Sequence, residues 1–305
     1  MKILQNKPAA CGLAIFCTLL WGTAFPFIKL GYAAFAVESG DIGAMLLFAG
    51  LRFSLAGLLV LLFLCVRERR LVPVGRGNLK PVLLLGGVQT LGQYLFTYCG
   101  IGFTTAANTS IITACASFLT VLAAPLFFRR DRLTAWQLIG CALGFGGVLV
   151  MNGGGGFALQ TLFGDCLIFF STVFAAGGNL IAKKVTVGRD PVRITAYQLL
   201  CGGTGLTLTG LLCGGKLNWS NWQGIWILLW LAFVSAAAFS IWTALLKHHP
   251  VGKIAVFNLL VPVFGTLLSG ILLGENVFRA EVVLSLLLIS AGIVLVNLSK
   301  SGEKQ

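Results

Sequence analysis

The sequence has little charge and few groups suited to acid–base chemistry. Charged residues make up 10% of its 305 residues, whereas a soluble domain carries about 25%. It contains nine acidic residues and only two histidines, the neighbours His248 and His249. Its nine cysteines show neither the CxxC spacing of a metal or redox site nor a disulfide framework. A soluble enzyme, a metal centre and a disulfide-stapled domain are therefore poor explanations of this chain.

The sequence also lacks the phosphate-binding loop GxxxxGK[ST], so we do not expect a nucleotide-driven pump. The net charge is +13, but the basic residues lie in short segments between apolar runs. We interpret them as a membrane topology signal and expect no nucleic-acid partner. No cofactor, no metal site and no catalytic residue are predicted.

Long apolar runs fill almost the whole sequence instead. Hydrophobic residues make up 57% of the chain and the mean hydropathy is +0.94. A helix of about 20 apolar residues crosses the roughly 30 Å hydrocarbon core of a bilayer. The 39 glycines are also typical of membrane helices, where small residues let backbones approach each other closely. We predict ten spanning helices, at residues 9–30, 42–66, 80–102, 106–128, 133–152, 163–184, 192–213, 223–246, 253–273 and 279–299.

The basic residues are distributed unequally between the two sides of this predicted bundle. With the N-terminus placed in the cytoplasm, 18 of the 22 lysines and arginines fall in or beside cytoplasmic connections. The first run is expected to be retained, because no small-residue cleavage site follows it. We therefore predict a multi-pass protein of a bacterial inner membrane, with both termini in the cytoplasm.

The two halves of the sequence resemble each other at an offset of 145 residues, which aligns Gly147 with Gly292. Each half has five predicted spans. Because five is odd, the second half must cross the membrane in the opposite sense to the first. The predicted domains, 9–152 and 163–299, are thus inverted repeats, an arrangement that many secondary transporters use for alternating access.

Several short motifs resemble those of the EamA family in the drug/metabolite transporter (DMT) superfamily. Trp21 to Phe25 with Lys29, and Leu51 to Phe53, are similar to the first two helices of an EamA repeat. Val261 to Phe264 and Leu272 to Glu275 resemble the end of the ninth helix of that family. The resemblance covers essentially the whole chain. It implies an all-α integral membrane fold of ten helices in two inverted five-helix EamA repeats, and often export of amino acids or other small metabolites.

Acidic residues are absent from the centres of the predicted spans. The first repeat has Arg130 and Asp131 where the family has Leu-Gly-Glu, so the glutamate of the family occurs only at Glu275. Carriers that couple to protons through a membrane carboxylate need one at depth, and strongly cationic drugs also favour one. We therefore expect neutral or zwitterionic substrates. Glu275 and Asp165, near the outer helix ends, are the remaining candidates for coupling.

Polar and aromatic side chains in the spans are the candidates for a substrate site, because polar groups at that depth are costly unless paired or hydrated. Each candidate could instead serve in a helix–helix hydrogen bond or in packing. For Trp242, near a helix end, an anchor at the membrane interface is the favoured alternative. The candidates for lining a central cavity are Trp21, Phe25, Gln89, Gln93, Tyr94, Thr97, Asn179, Ser235, Trp242 and Asn258.

Arg52 is the only basic residue placed well inside a predicted span. A partner is expected for such a charge, and Asp41 or Glu38 could provide it if the arginine side chain extends outward. A structural ion pair is favoured over an anion-binding site.

Together these features predict a secondary transporter that exports small neutral or zwitterionic metabolites, such as amino acids, by alternating access. A membrane-embedded enzyme would need a convergent polar cluster near an interface. A non-transporting sensor or a lipid scramblase stays open. The expected partners are a small-molecule substrate and the lipid bilayer, and the chain is expected to be a monomer or a homodimer.

Overall fold

The computed structural model describes seven stretches of the chain, which are residues 2–38, 40–101, 103–104, 106–128, 133–151, 162–273 and 280–298. Within them every regular element is helical and no strand occurs. The Arg130–Asp131 segment, Glu275 and the predicted domain ends at residues 152 and 299 lie outside the described residues.

Ten helical segments in the described residues coincide with the ten predicted apolar runs. The first half contains α1 (Lys2–Gln5), α2 (Lys7–Ala34), α3 (Ile42–Glu68), α4 (Arg76–Leu85), α5 (Gln93–Ile101), α6 (Ala106–Phe127) and α7 (Ala135–Met151). The second half contains α8 (Leu162–Thr186), α9 (Pro191–Leu212), α10 (Trp222–His248), α11 (Val251–Ala255), α12 (Leu260–Leu273) and α13 (Ala280–Leu298). A π-helical segment, Gly86–Gly92, joins α4 to α5, and a 3₁₀ turn, Val256–Leu259, joins α11 to α12. Each of these two joined pairs corresponds to one predicted run, and the short α1 precedes the first run, so the thirteen α-helices account for ten segments.

Six of these segments are individually long and apolar enough to cross a membrane. They are Lys7–Ala34, Ile42–Glu68, Leu162–Thr186, Trp222–His248, Val251–Leu272 and Ala280–Leu298. Two shorter apolar helices cover Ile112–Phe127 and Ala135–Val150. Helix α9 is long enough but less apolar, because it carries Gln198 and a series of glycines and threonines that it buries inside the bundle.

Polar side chains define where several of these apolar helices begin. Asp41 precedes α3 and accepts a hydrogen bond from the backbone N–H of Ala44 at 2.8 Å. Asp190 and Asn221 cap α9 and α10 in the same way. These caps satisfy backbone N–H groups that have no partner within the helix.

Helix α3 packs along α9 over most of its length, and glycines bring the two backbones together. A Cβ atom built on Gly50 would lie 2.3 Å from the backbone nitrogen of Thr207. A Cβ atom on Gly57 would lie 2.6 Å from the backbone nitrogen of Leu200. Residue numbers fall along α9 as they rise along α3, so the two helices are antiparallel.

Helices α7 and α13 form a second antiparallel, glycine-lined pair. A Cβ atom on Gly140 would lie 2.6 Å from the carbonyl oxygen of Gly292, and one on Gly147 would lie 2.9 Å from that of Ser285. Gly147 and Gly292, which the sequence offset aligns, therefore both lie in this interface.

The first long helix of each half packs against the other half. Helix α2 contacts α10 and α12, whereas α8 contacts α5 and α6. Trp21, Leu180 and Trp242 belong to one large apolar cluster that joins both halves. The centre of the bundle is therefore built from α2, α3, α8 and α10 together with the π-helical segment.

Candidate functional site

Aromatic rings from three helices form a continuous layer at the centre of the bundle. The ring of Trp21 meets Phe239 edge-on at a centroid distance of 5.4 Å, and Trp242 at 5.1 Å. Phe239 in turn contacts Phe53 at 6.1 Å. We call Trp21, Phe53, Phe239 and Trp242 the aromatic wall. It combines apolar rings from α2, α3 and α10 with one indole N–H group from α2 and one from α10.

Trp242 does not anchor the protein at the membrane interface, so that interpretation is wrong. Its side chain is 1% exposed and its indole N–H donates to Oδ1 of Asn179 at 3.1 Å. Helix α10 continues to His248, so Trp242 lies more than a turn inside the bundle and faces α8. Asn179 is itself 4% exposed. The structure thus brings together two predicted site residues from different helices.

Gln89 lies beside this pair, in the π-helical segment. It packs on α8 where Gly178 leaves room, since a Cβ atom on Gly178 would lie 2.8 Å from Cβ of Gln89. Oε1 of Gln89 and the indole Nε1 of Trp21 are buried and have no hydrogen-bond partner among the described residues. A π-helical turn inside an α-helix is often found at functional sites. The centre of the bundle therefore offers both an unused acceptor and an unused donor.

Arg52 extends toward α10 rather than toward the outer connection. Its Nε donates to Oγ of Ser235 at 2.8 Å, and its guanidinium carbon lies 4.8 Å from the centroid of Phe53. The expected ion pair with Asp41 or Glu38 is wrong, because Asp41 is used to cap α3 and no ion pair to Arg52 occurs in the described stretches. The hydroxyl of Ser235, which is fully buried, is therefore the hydrogen-bond partner of Arg52.

Three further candidates lie along α5. The ring of Tyr94 contacts Phe53 of the aromatic wall at a centroid distance of 4.4 Å, which places Tyr94 at the centre. Gln93 is half-buried. The hydroxyl of Thr97 donates to the backbone oxygen of Gln93 at 2.8 Å, a bond within its own helix. Tyr94 is thus the member of this group that the structure joins to the other candidates.

Phe25 and Asn258 have no ring contact or hydrogen bond with the aromatic wall within the described residues. Phe25 is 51% exposed and lies against Gly265 of α12. Asn258 lies in the 3₁₀ turn, and its buried Oδ1 atom has no hydrogen-bond partner in the described part of the chain.

Gln198 of α9 is a buried polar residue that sequence reasoning missed. Its side chain is fully buried, and its Oε1 atom accepts a hydrogen bond from the hydroxyl of Thr90 at 3.1 Å. Its Nε2 atom has no partner in the described residues. A signal was present, because Gln198 is the one glutamine in a span of small and apolar residues.

The acidic residues of the described stretches all lie at helix ends or in connections. Asp165 is in the first turn of α8, where it is 6% exposed and accepts a hydrogen bond from the hydroxyl of Thr104. Glu281 is in the first turn of α13, and Glu68 ends α3. Within this part of the chain, the centre of the bundle contains aromatic, amide, hydroxyl and guanidinium groups and no carboxylate.

Ion pairs connect the end of α3 to the start of α9. Arg67 pairs with Asp190 at 2.8 Å, and Glu68 pairs with Arg193 at 3.3 Å and with Arg70 at 3.4 Å. These contacts tie the two antiparallel helices together at one end. We call this set of five residues the ionic cluster.

Two grooves lie at opposite ends of the bundle. One, of about 610 Å³, lies between α4, α6 and α8, and it includes Lys80, Phe127 and Lys184. The other, of about 570 Å³, lies between the end of α2 and the start of α10, and it includes Leu30 and Trp222. Neither groove is lined by any of the predicted site residues.

Comparison with known proteins agrees with this architecture. The sequence pattern of the EamA-like transporter family matches residues 8–153 and again residues 162–298. A probable amino-acid metabolite efflux pump of Salmonella typhimurium is 29% identical over 87% of this chain and 87% of its own length. The uncharacterised inner membrane transporter YedA of Escherichia coli is 28% identical over 92% of this chain and 88% of its own length. A crystal structure of a protein with 18% identity superposes with a TM-score of 0.80 over 95% of this chain and 98% of its own.

Proposed function

Because this chain belongs to the EamA-like transporter family, we propose that it exports small neutral or zwitterionic metabolites, such as amino acids, by alternating access. The efflux pump of Salmonella typhimurium supports this substrate class by its similarity over most of the chain. The similarity to YedA supports a location in the inner membrane.

The observation that carries the proposal is the antiparallel pairing of corresponding helices. Helices α3 and α9 are the second spans of the two halves, α7 and α13 are the fifth spans, and each pair is antiparallel. The first spans of the two halves are related in the same way. Helix α2 packs on the third and fourth spans of the second half, and α8 packs on the third and fourth spans of the first half. Two five-helix repeats, 9–152 and 163–299, with inverted topology would generate this pattern. Such repeats can rock against each other and expose a central site to either side in turn.

The central residues fit a solute without a strong positive charge. The aromatic wall supplies apolar area, while Asn179, Gln89 and Ser235 supply amide and hydroxyl groups. A carboxylate, which would favour a cation, is absent from this region in the described residues. Tryptophan and tyrosine faces can still accept an ammonium group through a cation–π contact.

The orientation with both termini in the cytoplasm is also proposed. The ionic cluster and the ends of α8 and α10 then lie on the cytoplasmic side, together with Lys247, whose ammonium donates to the backbone oxygen of Arg189 at 2.7 Å. This placement follows the excess of lysine and arginine expected in cytoplasmic connections.

Counterflow measured in reconstituted vesicles tests the proposal. Purified protein in liposomes is preloaded with each solute of an amino-acid and metabolite panel, and uptake of the labelled solute is followed. We expect saturable exchange for a subset of the panel. Trp21→Leu should reduce this exchange, whereas Trp226→Leu should not, because Trp226 is 63% exposed on the bundle surface. A folded protein that exchanges no solute would contradict the proposal and favour a sensor or an enzyme.

A further inference from the structure

Arg52 is a charged residue at mid-membrane depth whose charge is unmatched in the described part of the chain. It lies ten residues into α3, about 15 Å along the helix from its start at a rise of 1.5 Å per residue. Its side chain is 3% exposed. A charge at this depth is costly unless it is paired, hydrated or functional.

The terminal nitrogens of the Arg52 guanidinium have no hydrogen-bond partner in the described residues. Only Nε has a partner, the hydroxyl of Ser235 at 2.8 Å, and the terminal Nη1 and Nη2 groups have none within the described residues. The guanidinium lies over the ring of Phe53, Tyr94 contacts that ring at 4.4 Å, and Tyr98 contacts Tyr94 at 6.3 Å. Ring faces and neutral hydroxyls can solvate a guanidinium, but they do not neutralise it.

The surroundings of Arg52 connect it to the candidate substrate site. Phe53, the next residue, belongs to the aromatic wall, and Ser235 lies one helical turn before Phe239 on α10. The guanidinium is therefore held beside the rings of the wall. The two terminal nitrogens of a guanidinium form a planar fork that matches the two oxygens of a carboxylate.

We propose that Arg52 binds the carboxylate of the transported solute through Nη1 and Nη2, with the rest of the solute against the aromatic wall. This inference rests on the proposed transport function and narrows its substrate class to carboxylate-bearing metabolites. Ser235 is a positioning residue in this arrangement, because its bond to Nε holds the guanidinium in place and leaves Nη1 and Nη2 for the solute. The carboxylate supplies the negative charge that the described helices lack at this depth.

The first test uses the wild-type protein and pairs of solutes. A transported amino acid and its amide, in which the carboxylate is replaced by a neutral group, compete for counterflow in vesicles. A hydrogen-bonded charge pair favours the acid by about 10- to 100-fold. Quenching of tryptophan fluorescence in detergent reports binding of the same two solutes without transport. Equal competition and equal binding by acid and amide would overturn the role of Arg52.

The second test uses variants of Arg52. Arg52→Gln should weaken binding of the acid by about 10- to 100-fold and leave binding of the amide nearly unchanged, which removes the preference for the acid. Arg52→Lys should retain part of the preference, since it keeps the charge but not the fork. Lys216→Gln removes an exposed charge in the outer connection and serves as the control. An unchanged preference for the acid in folded Arg52→Gln would refute the proposal.

The outcomes separate this inference from the proposed function. If the wild-type protein moves no solute, the transport function fails. If it moves solutes but treats acids and amides alike, transport stands and the role of Arg52 fails. If Arg52→Gln does not fold, the comparison of acid and amide on the wild-type protein still decides the question.

Discussion

The interfaces between α3 and α9 and between α7 and α13 differ from the centre of the bundle, where α2, α3, α8 and α10 meet the π-helical segment. In the two glycine-lined interfaces, backbones touch with almost no intervening side chain, as at Gly50 and Thr207. In the central region, large rings and polar groups meet, and Trp21 and Gln89 retain unused hydrogen-bonding atoms. The first kind of contact tolerates no added volume. The second kind has a donor and an acceptor that no described residue pairs, which suits a site that must bind and release a solute.

The largest expected effect comes from adding one carbon atom to a glycine-lined interface. In Gly50→Ala the new Cβ atom would lie 2.3 Å from the backbone nitrogen of Thr207, so the helices must move apart. We expect a loss of stability of about 1–3 kcal/mol or more, measured by thermal unfolding in detergent.

Gly146→Ala is the control for this substitution. A Cβ atom on Gly146 meets nothing within 4 Å, and alanine in a helix is more favourable than glycine by about 0.5–1 kcal/mol. The two variants should therefore change stability in opposite directions. A stable Gly50→Ala protein would show that these backbones are less closely packed than described.

A smaller effect is expected at the hydrogen bond between Asn179 and Trp242. Asn179→Leu leaves the buried indole N–H of Trp242 without its acceptor, which should destabilise the protein by about 1–3 kcal/mol. Adding Trp242→Phe should recover part of this loss, since the unpaired N–H is then absent. Thermal unfolding of both single variants and the double variant measures the coupling. Strictly additive effects would exclude a stabilising bond between these side chains.

The smallest effect on stability is expected in the ionic cluster. Arg67→Gln removes the 2.8 Å pair with Asp190, but the Arg67 side chain is 43% exposed, and such pairs contribute about 0–1 kcal/mol. Arg69→Gln removes a neighbouring charge that makes no ion pair within the described stretches. Unfolding temperatures at low and high salt compare the two variants. A large, salt-independent loss of stability for Arg67→Gln would mean that the ionic cluster contributes strongly to the packing of α3 against α9.

The number and boundaries of the helices could be predicted because membrane insertion is a local property. About 20 consecutive apolar residues decide whether a segment spans, and the ten predicted runs agree with the helical segments to within a few residues. The repeat offset also aligned Gly147 with Gly292, which lie in one interface. Both features depend on short stretches of sequence and not on which helices become neighbours.

The inward-facing side of each helix was harder to predict. In a soluble protein the polar face of a helix identifies the surface, but many of these helices are apolar all round because lipid surrounds the bundle. Phe25 and Trp21 are therefore equivalent in the sequence, although Phe25 is 51% exposed and Trp21 packs against Trp242. Trp242 was interpreted as an interfacial anchor because only its distance from the helix end was known, and not its contact with Asn179.

The sequence by itself determined that the protein is a membrane-embedded helical bundle with few acidic groups, because composition and apolar length require no knowledge of contacts. The tertiary structure alone decided which neighbours Arg52 has. The sequence favours an ion pair with Asp41 or Glu38 in the outer connection over an anion-binding site. The packing of α3 against α10 places Ser235 at its Nε atom and leaves its outer nitrogens without a partner in the described chain. The direction of a long side chain depends on its neighbours in space, which the fold creates.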